Sequence, residues 1–342
     1  MQQYHRHRRR RLSGAAIALV LVCAALAYAG VLLGVKLIGS RLEGSEAAEP
    51  VGSLDGRFSS DKLTLQYANR TWTYRRQDLT NLLLIGVDWA EMDLPAASGR
   101  YAGQADFLLL VTIDRENKTI STLQIDRDTM ADIRVYGPFG DYTGIRKTQI
   151  CLSHAYGETA EENCENTLWA VSRLMGNVPI DGYLALDMDA ITLLNDALGG
   201  VTVTLEEDLS GLDPQMVPGA RLTLEGSQAE AFVRGRTGVG DGTNAARMKR
   251  QRAFLQGAGD RVAQGLAEDP GFAGGLLDAL EGHLVMNVTR GWLINKAYES
   301  SPYERTEMRS LAGSHVLGED GFVEFHVDAD ALNDLLTTGF FE

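Results

Sequence analysis

Six basic side chains are concentrated in residues 233–254, VRGRTGVGDGTNAARMKRQRAF, although the whole chain carries a formal net charge of -14. They are Arg234, Arg236, Arg247, Lys249, Arg250 and Arg252. Thr243 and Asn244 are good N-cap residues, so we expect a helix over residues 243–265 that begins next to a Gly-rich loop. Arg247 and Arg250 would share one face of it. Helix N-termini and arginine forks both bind phosphate oxygens. The stretch therefore predicts a phosphate site; the alternative is a solvated basic helix face.

A second group of candidate residues falls where three predicted strands begin or end. It consists of Asp88, Asp106, Asp126, Arg127 and Asp128. Polar side chains at strand ends can meet in one crevice at the edge of a sheet. Mg²⁺ takes one or two carboxylates together with phosphate oxygens and water. These residues therefore predict a Mg²⁺ site beside the phosphate, and the alternative for each aspartate is a turn or a cap.

Other polar motifs point to no different chemistry. The histidines beyond the N-terminal tail, at 154, 283, 315 and 326, lack metal-ligand spacing, and the chain has no P-loop and no Gly-x-Ser-x-Gly or Cys-x-x-Cys motif. Cys151 and Cys164 either form a local disulfide or are two buried thiols.

Strand and helix patterns alternate along the segments that must position these residues. Strand patterns cover residues 81–88, 105–114, 118–126, 182–187 and 201–205, with a weaker edge-strand pattern at 63–76. Residues 115–117 join two of them as a hairpin. Helix patterns cover residues 147–157, 164–176, 188–200, 227–236 and 243–265. The chain is therefore predicted to be α/β or α+β, with a mixed central sheet covered by helices.

The N-terminus has the pattern of a membrane anchor. Residues 1–12 are a basic tail, and residues 12–35 contain no charged side chain. About 20 apolar residues span a bilayer, so we predict a transmembrane helix over residues 13–38. The arginines precede it, which places the N-terminus in the cytoplasm and the rest outside a single-pass cell-membrane protein. The alternative is a cleaved signal peptide, since Ala27-Tyr28-Ala29 has a small-x-small form. Residues 39–75 are predicted to be a stalk.

The body of the chain is acidic. Residues 1–39 hold six of the 32 Lys and Arg residues and none of the 46 acids. The remaining residues therefore carry 26 bases and 46 acids, a formal net charge of -20. Such a surface repels nucleic acid, and the sequence has no helix-turn-helix pattern. A DNA-binding regulator is therefore excluded.

Six motifs in order resemble the LytR–CpsA–Psr family. They are NLLLIGVD, Gln-Ala-Asp before an apolar strand, IDRDT, KTQICLSHAYG, DAITLLNDALGGVTV, and AFVRGR with DGTNAARMKRQRAFL. The motifs span residues 81–255 of an expected catalytic domain at 76–342. The resemblance implies an α/β fold with an apolar pocket for a prenyl chain. It also implies transfer of an anionic glycopolymer, such as wall teichoic acid or capsule, from a polyprenyl-pyrophosphate carrier to a muramic-acid hydroxyl of Gram-positive peptidoglycan, which forms a phosphodiester.

The resemblance also implies a role for each matching residue. Asp88 and Asp106 would hold Mg²⁺ (or Mn²⁺). The catalytic set would be Asp106, Arg127, Asp128 and Arg234. The pyrophosphate would be bound by Arg127, Arg234, Arg236, Arg247, Arg250 and Lys147. Asp128 or Asp241 would accept the hydroxyl proton, and both remain candidates.

Two positions depart from the family pattern. Gln104 stands where the family has arginine, unless Arg100 compensates from the preceding loop, and Asp126 stands where the family has proline. Besides the transferase, two alternatives therefore stay open: a polyprenyl-pyrophosphate hydrolase, and a non-catalytic protein that binds the lipid carrier during wall assembly. The sequence does not predict an oligomeric state.

Overall fold

The structure is a computed structural model that describes residues 63–88, 103–137, 140–235 and 243–342. Its helices are α1 (Ala160–Leu174), α2 (Asp189–Ala197), α3 (Ser227–Arg234), α4 (Asn244–Glu268), α5 (Phe272–Ala279), α6 (Arg290–Ser300) and α7 (Ala329–Gly339), with a 3-10 helix over Ile150–Ala155. Its strands are β1 (Thr64–Tyr67), β2 (Arg70–Thr73), β3 (Leu79–Asp88), β4 (Gln104–Asp114), β5 (Thr119–Ile125), β6 (Met130–Tyr136), β7 (Tyr142–Gln149), β8 (Gly182–Leu186), β9 (Thr202–Thr204), β10 (Arg221–Thr223), β11 (Leu284–Met286), β12 (Glu304–Arg305), β13 (Arg309–Ser310), β14 (Gly313–Leu317) and β15 (Val323–Val327).

The central element is a seven-stranded mixed sheet with the order β11-β8-β3-β4-β5-β12, and β13 also pairs with β5. β3 is parallel to β8 and antiparallel to β4, which is antiparallel to β5. Leu82–Ile85 are almost completely buried, because a central strand with both faces covered excludes water from every side chain. The unbroken apolar run of this strand is thereby explained.

Two hydrophobic cores flank the sheet, one on each face. Alternate residues of β3 point to opposite sides: Leu82 and Leu84 pack into one core, and Leu83 and Ile85 into the other. Helices α2 to α6 cover the first face. The second face is covered by α1, α7, β6 and β15. The predicted mixed sheet covered by helices is confirmed.

Short two-stranded elements surround the sheet. β6 pairs with β7, β14 with β15 and β9 with β10. β1 and β2 form a hairpin of their own and do not extend the sheet, so the predicted edge strand at 63–76 is corrected. Thr73, the last residue of β2, exchanges two backbone hydrogen bonds with Glu342, each 2.8 Å long. Residues 63–75 therefore belong to the folded domain, and the predicted stalk is shorter than 39–75.

One further local prediction needs correction, and one open alternative is decided. Residues 147–157 were expected to be helical, but β7 continues to Gln149 and only Ile150–Ala155 turn as a 3-10 helix. Pairing with β6 holds those first residues extended. Cys151 and Cys164 are two free, buried thiols and do not form the local disulfide that was the other alternative.

The predicted membrane helix over residues 13–38 lies outside the described residues, as do the basic tail and most of the stalk. Within residues 63–342, the described helices include none with the length and apolar character of a membrane span.

Candidate active site

A cavity of about 670 Å³ opens at the edge of the sheet where β3 ends and β4 begins. One part of its wall is apolar and comes from β3, β4, β8, helices α2, α3 and α4, and the turn that contains Leu212. These side chains include Leu84, Ile85, Phe107, Leu186, Ile191, Leu194, Leu212, Val233, Phe254 and Leu255. The other part is charged. It contains Asp88, Asp106, Arg127, Asp187, Glu230, Arg234 and Arg247. An apolar pocket with a few convergent charged groups is the usual form of a small-molecule site.

The antiparallel pairing of β3 and β4 places two predicted carboxylates at this edge. Asp88 is the last residue of β3 and lies opposite Gln104, so Asp106 follows two residues further along β4. The register shifts between Gly86 and Val87. A Cβ atom at Gly86 would lie 2.9 Å from Cβ of Phe107, so only glycine leaves this cavity-lining phenylalanine in place.

Two arginines bind one carboxylate inside the cavity. Arg127 Nη1 donates to Asp106 Oδ1, and Arg247 Nη1 donates to Asp106 Oδ2 over 2.9 Å. Arg127 follows β5 and Arg247 lies in the first turn of α4. Arg127 Nη2 also donates to Gln104 Oε1 at 2.5 Å. Gln104 is therefore a hydrogen-bond acceptor for Arg127.

Arg234 forms a second, more exposed ion pair at the cavity. Its Nη2 lies 3.1 Å from Asp88 Oδ1, and its Nη1 lies 2.6 Å from Glu230 Oε1. Arg234 is the last residue of α3 and Glu230 lies one turn before it, which is the spacing at which helical charges pair. Because this guanidinium is half-exposed, it is accessible to a ligand.

The charges that line the cavity do not by themselves favour an anion. Four acids, Asp88, Asp106, Asp187 and Glu230, face three arginines among the described residues, an excess of one negative charge. A diphosphate would therefore need additional positive charge. A divalent cation bound with the ligand would supply it.

Asp88 and Asp106 are the two lining carboxylates that were predicted to hold such a cation. No group of three or more His, Cys, Asp and Glu side chains in the described ranges is arranged to hold a metal alone. Mg²⁺ needs only one or two protein carboxylates when phosphate oxygens and water complete its octahedron. The two oxygens of Asp106 accept from arginines here, so a metal at Asp106 requires those arginines to turn to the ligand.

Arg250 has a different environment from Arg247, although both were predicted to bind pyrophosphate. Its guanidinium is buried, donates to the backbone oxygens of Phe232 and Gly235, and lies 2.9 Å from Glu207 Oε2. It does not line the cavity. Its donors satisfy the C-terminal carbonyls of α3, which is a structural role.

Lys147 also lies away from the cavity. It is exposed on β7, opposite Asp132 of β6, and it is not a lining residue. Asp128 lies behind Arg127, with 3.4 Å between its Oδ1 and Arg127 Nε, and does not line the cavity either. Arg236, Asp241 and Arg100 lie outside the described residues.

Two lining carboxylates were not predicted. Asp187 follows β8 and binds His283 Nδ1 at 2.7 Å; it ends the apolar run GYLALD just as Asp88 ends NLLLIGVD, so the same pattern could have identified it. Glu230 could have been found from its position four residues before Arg234.

A thiol borders the site. Cys151 Sγ lies 3.5 Å from Arg127 Nη2. Burial raises the pKa of this thiol despite the nearby guanidinium, so Cys151 is neutral and packs beside Arg127 without competing for its charge.

Several known proteins are similar to this chain in sequence or fold. The polyisoprenyl-teichoic acid–peptidoglycan teichoic acid transferase TagU of Halalkalibacterium halodurans is 29% identical over 267 residues, which cover 78% of this chain and 77% of that protein. The cell wall biosynthesis protein LcpA of Corynebacterium glutamicum is 26% identical over 265 residues, 69% of this chain; the chain spans about half, 48%, of that protein's length. The crystal structure of B. subtilis TagV superposes with a TM-score of 0.56 at 23% identity, covering 76% of this chain and 95% of that one.

The family assignment comes from a longer match. The LytR_cpsA_psr family pattern matches residues 48–339, which contain the sheet, most of both cores and all the lining residues of the cavity. The resemblance inferred from six motifs is confirmed: this chain belongs to the LytR–CpsA–Psr family.

Proposed function

We propose that this protein is a membrane-anchored phosphotransferase that moves an anionic glycopolymer from a polyprenyl-pyrophosphate carrier to peptidoglycan. The observation that supports it most directly is that apolar side chains and three arginines line the same cavity. A prenyl chain would be buried against Phe107, Ile191 and Phe254, which favours binding by about 25 cal/mol for each Å² of apolar surface removed from water. Its diphosphate would reach the arginines.

The reaction needs no energy source beyond its donor. A hydroxyl oxygen of peptidoglycan attacks the phosphorus that carries the glycopolymer, and a phosphodiester bond forms. The bond from that phosphorus to the bridging oxygen breaks, and polyprenyl monophosphate leaves with the electron pair. The proton of the hydroxyl passes to a base, for which Asp128 and Asp241 remain the candidates. Phosphoryl transfer depends mainly on positioning and charge stabilisation.

Arginines supply both of these requirements. Arg127 and Arg247 start from a shared carboxylate, Asp106, which fixes their guanidinium groups before the ligand binds. Exchanging Asp106 for diphosphate oxygens keeps their donors satisfied. Arg234 is more exposed and would bind the outer phosphate. A Mg²⁺ held by Asp88 and Asp106 would neutralise charge on the non-bridging oxygens.

The relatives support the substrate class. TagU is named as a transferase of teichoic acid from a polyisoprenyl carrier to peptidoglycan. We extend this class to the present chain, with the polymer itself unspecified. A predicted membrane helix over residues 13–38 would hold the cavity close to a lipid-linked donor outside the cell.

The proposal is tested by incubating the full-length protein in nanodiscs with a polyprenyl-pyrophosphate oligosaccharide, peptidoglycan fragments and Mg²⁺. A product in which the oligosaccharide is joined to the fragments supports the transferase. Polyprenyl monophosphate released without a joined product would instead identify a hydrolase. Binding of the donor with neither product would identify a carrier-binding protein. A parallel reaction with EDTA tests the cation, which we expect to be required.

A further inference from the structure

Asp126 is a buried carboxylate next to Arg127 that the proposed reaction does not use. It is 4% exposed and does not line the cavity. Its Oδ1 accepts from Asn244 Nδ2 at 2.7 Å and from the backbone N–H of Asp128 at 2.9 Å, and its Oδ2 lies 2.9 Å from His315 Nε2. A buried carboxylate is costly unless it is hydrogen-bonded, and three donors satisfy this one.

The amide of Asn244 joins this carboxylate to the active-site cavity. Its Nδ2 donates to Asp126, while its Oδ1 accepts from Arg247 Nη2 at 2.7 Å. These partners fix the amide orientation, because the flipped amide would point its NH₂ group at a guanidinium and its oxygen at a carboxylate. Asp126 therefore determines which end of Asn244 faces Arg247.

We propose that Asp126 is a positioning residue for Arg247, acting through Asn244 and held from its other side by His315. This inference rests on the proposed function, since it assigns Arg247 to the diphosphate. Two carboxylates among the described residues support Arg247. Its Nη1 reaches Asp106 directly, and its Nη2 reaches Asp126 through the amide. When the diphosphate displaces Asp106, the second support remains and keeps the guanidinium aimed at the cavity.

The support extends into the C-terminal hairpin. His315 lies on β14, and Phe325 of β15 donates its backbone N–H to Asp128 O at 2.8 Å. His315 also packs against the Phe325 ring, with 4.8 Å between ring centroids. The hairpin β14–β15 is thereby attached at two points to the loop that carries Arg127. Through Asp126 and Asn244, this hairpin contributes to the position of Arg247.

The test measures the dissociation constant of geranylgeranyl pyrophosphate with Mg²⁺ by calorimetry, using the full-length protein in nanodiscs. We expect Asn244→Leu to weaken binding about tenfold, which corresponds to about 1.4 kcal/mol, and His315→Gln about threefold. Asp126→Asn retains an acceptor for Asn244 and should stay within about twofold of wild type. His326→Gln is the matched control, because His326 lies on the same hairpin, is similarly exposed, and pairs with Glu324 of that hairpin.

A double-mutant cycle separates positioning from a merely structural role. In an Arg247→Ala background, Asn244→Leu should change the dissociation constant by less than about twofold, because the residue that it positions is absent. If Asn244→Leu weakens binding about tenfold in that background as well, the proposal is overturned. If the wild-type protein binds the probe and both Asn244→Leu and His315→Gln bind it equally well, the proposal is overturned and the proposed function still stands. A wild-type protein that neither binds the probe nor transfers oligosaccharide would overturn both. If Asn244→Leu does not fold, the half-exposed His315→Gln carries the test by itself.

Discussion

Arg127 and Arg247 bind opposite oxygens of the same carboxylate, Asp106, although they come from the end of β5 and the start of α4. The shared acid holds two like charges close together, where they would otherwise repel one another. A site built in this way is organised before its ligand arrives. The ligand must then compete with the Asp106 carboxylate for the two arginines. Its affinity therefore depends on the difference between the hydrogen bonds that the arginines make to the ligand and those that they make to Asp106.

Replacing Arg247 should weaken binding far more than replacing another arginine of the same helix. Arg247→Ala removes a buried donor of the cavity, and we expect the dissociation constant of geranylgeranyl pyrophosphate to rise at least about tenfold, since charge-assisted hydrogen bonds contribute roughly 1.5–3 kcal/mol each. Arg252→Ala is the control, because Arg252 donates to Ser310 and does not line the cavity. Equal effects of the two changes would contradict the assignment.

Filling the apolar part of the cavity should separate lipid binding from phosphate binding. Ile191 lines the cavity from α2, so Ile191→Trp places a bulky ring where the prenyl chain is expected. Binding of geranylgeranyl pyrophosphate should fall about tenfold or more, while binding of inorganic pyrophosphate should remain within about twofold. Calorimetry with both ligands checks this. Loss of inorganic pyrophosphate binding as well would show that the two regions are not separable.

Arg250→Ala should destabilise the fold. Its buried guanidinium satisfies two backbone oxygens at the end of α3 together with Glu207, and removal of one partner of a buried pair costs about 3 kcal/mol. Urea unfolding measures this change in the free energy of unfolding. Unchanged stability combined with lost pyrophosphate binding would restore Arg250 to the ligand-binding set predicted from the sequence.

His154 should make the domain less stable in mild acid. Burial lowers the pKa of this side chain to about 4, whereas in the unfolded chain it is near 6.5. Between these values the unfolded state binds a proton that the folded state does not, so stability is fully present above pH 6.5 and is lost as the pH falls towards 4. The contribution amounts to about 2 kcal/mol between pH 7 and 5.

Urea titrations at pH 7 and pH 5 measure this dependence. In His154→Gln, which has no titratable group at this position, the difference between the two pH values should shrink by about that amount. His326→Gln, on an exposed strand, should keep the wild-type dependence. An identical pH dependence in wild type and His154→Gln would show that another group is responsible.

The sequence predicted the elements that carry strong local signals. The unbroken apolar runs became β3, β4 and β8, and Thr243 caps α4 as expected, accepting from the backbone N–H of Ala246 at 3.1 Å. Gly199 and Gly200 end the turn after α2 with positive φ angles of 71° and 88°. Each of these features depends on neighbouring residues, so a local pattern was enough to identify them.

The roles within the basic stretch could not be predicted from spacing. Arg247 and Arg250 are three residues apart and both are buried, yet one reaches Asp106 from β4 and the other reaches Glu207 and the end of α3. Their partners lie far away in the chain, and long-range pairing leaves no periodic signal. Asp126 was correctly placed at a strand end, but its contacts with Asn244 and His315 depend on how α4 and the C-terminal hairpin approach the sheet.

The reciprocal hydrogen bonds between Thr73 and Glu342 bring residue 342 beside the end of β2, the strand that pairs with β1. A short peptide joining residue 342 to residue 63 would make the domain backbone circular and leave β3, β4 and the cavity unchanged. Such a ring restricts the unfolded chain far more than the native one, so the cyclised domain should resist heat and exopeptidases better than its linear parent.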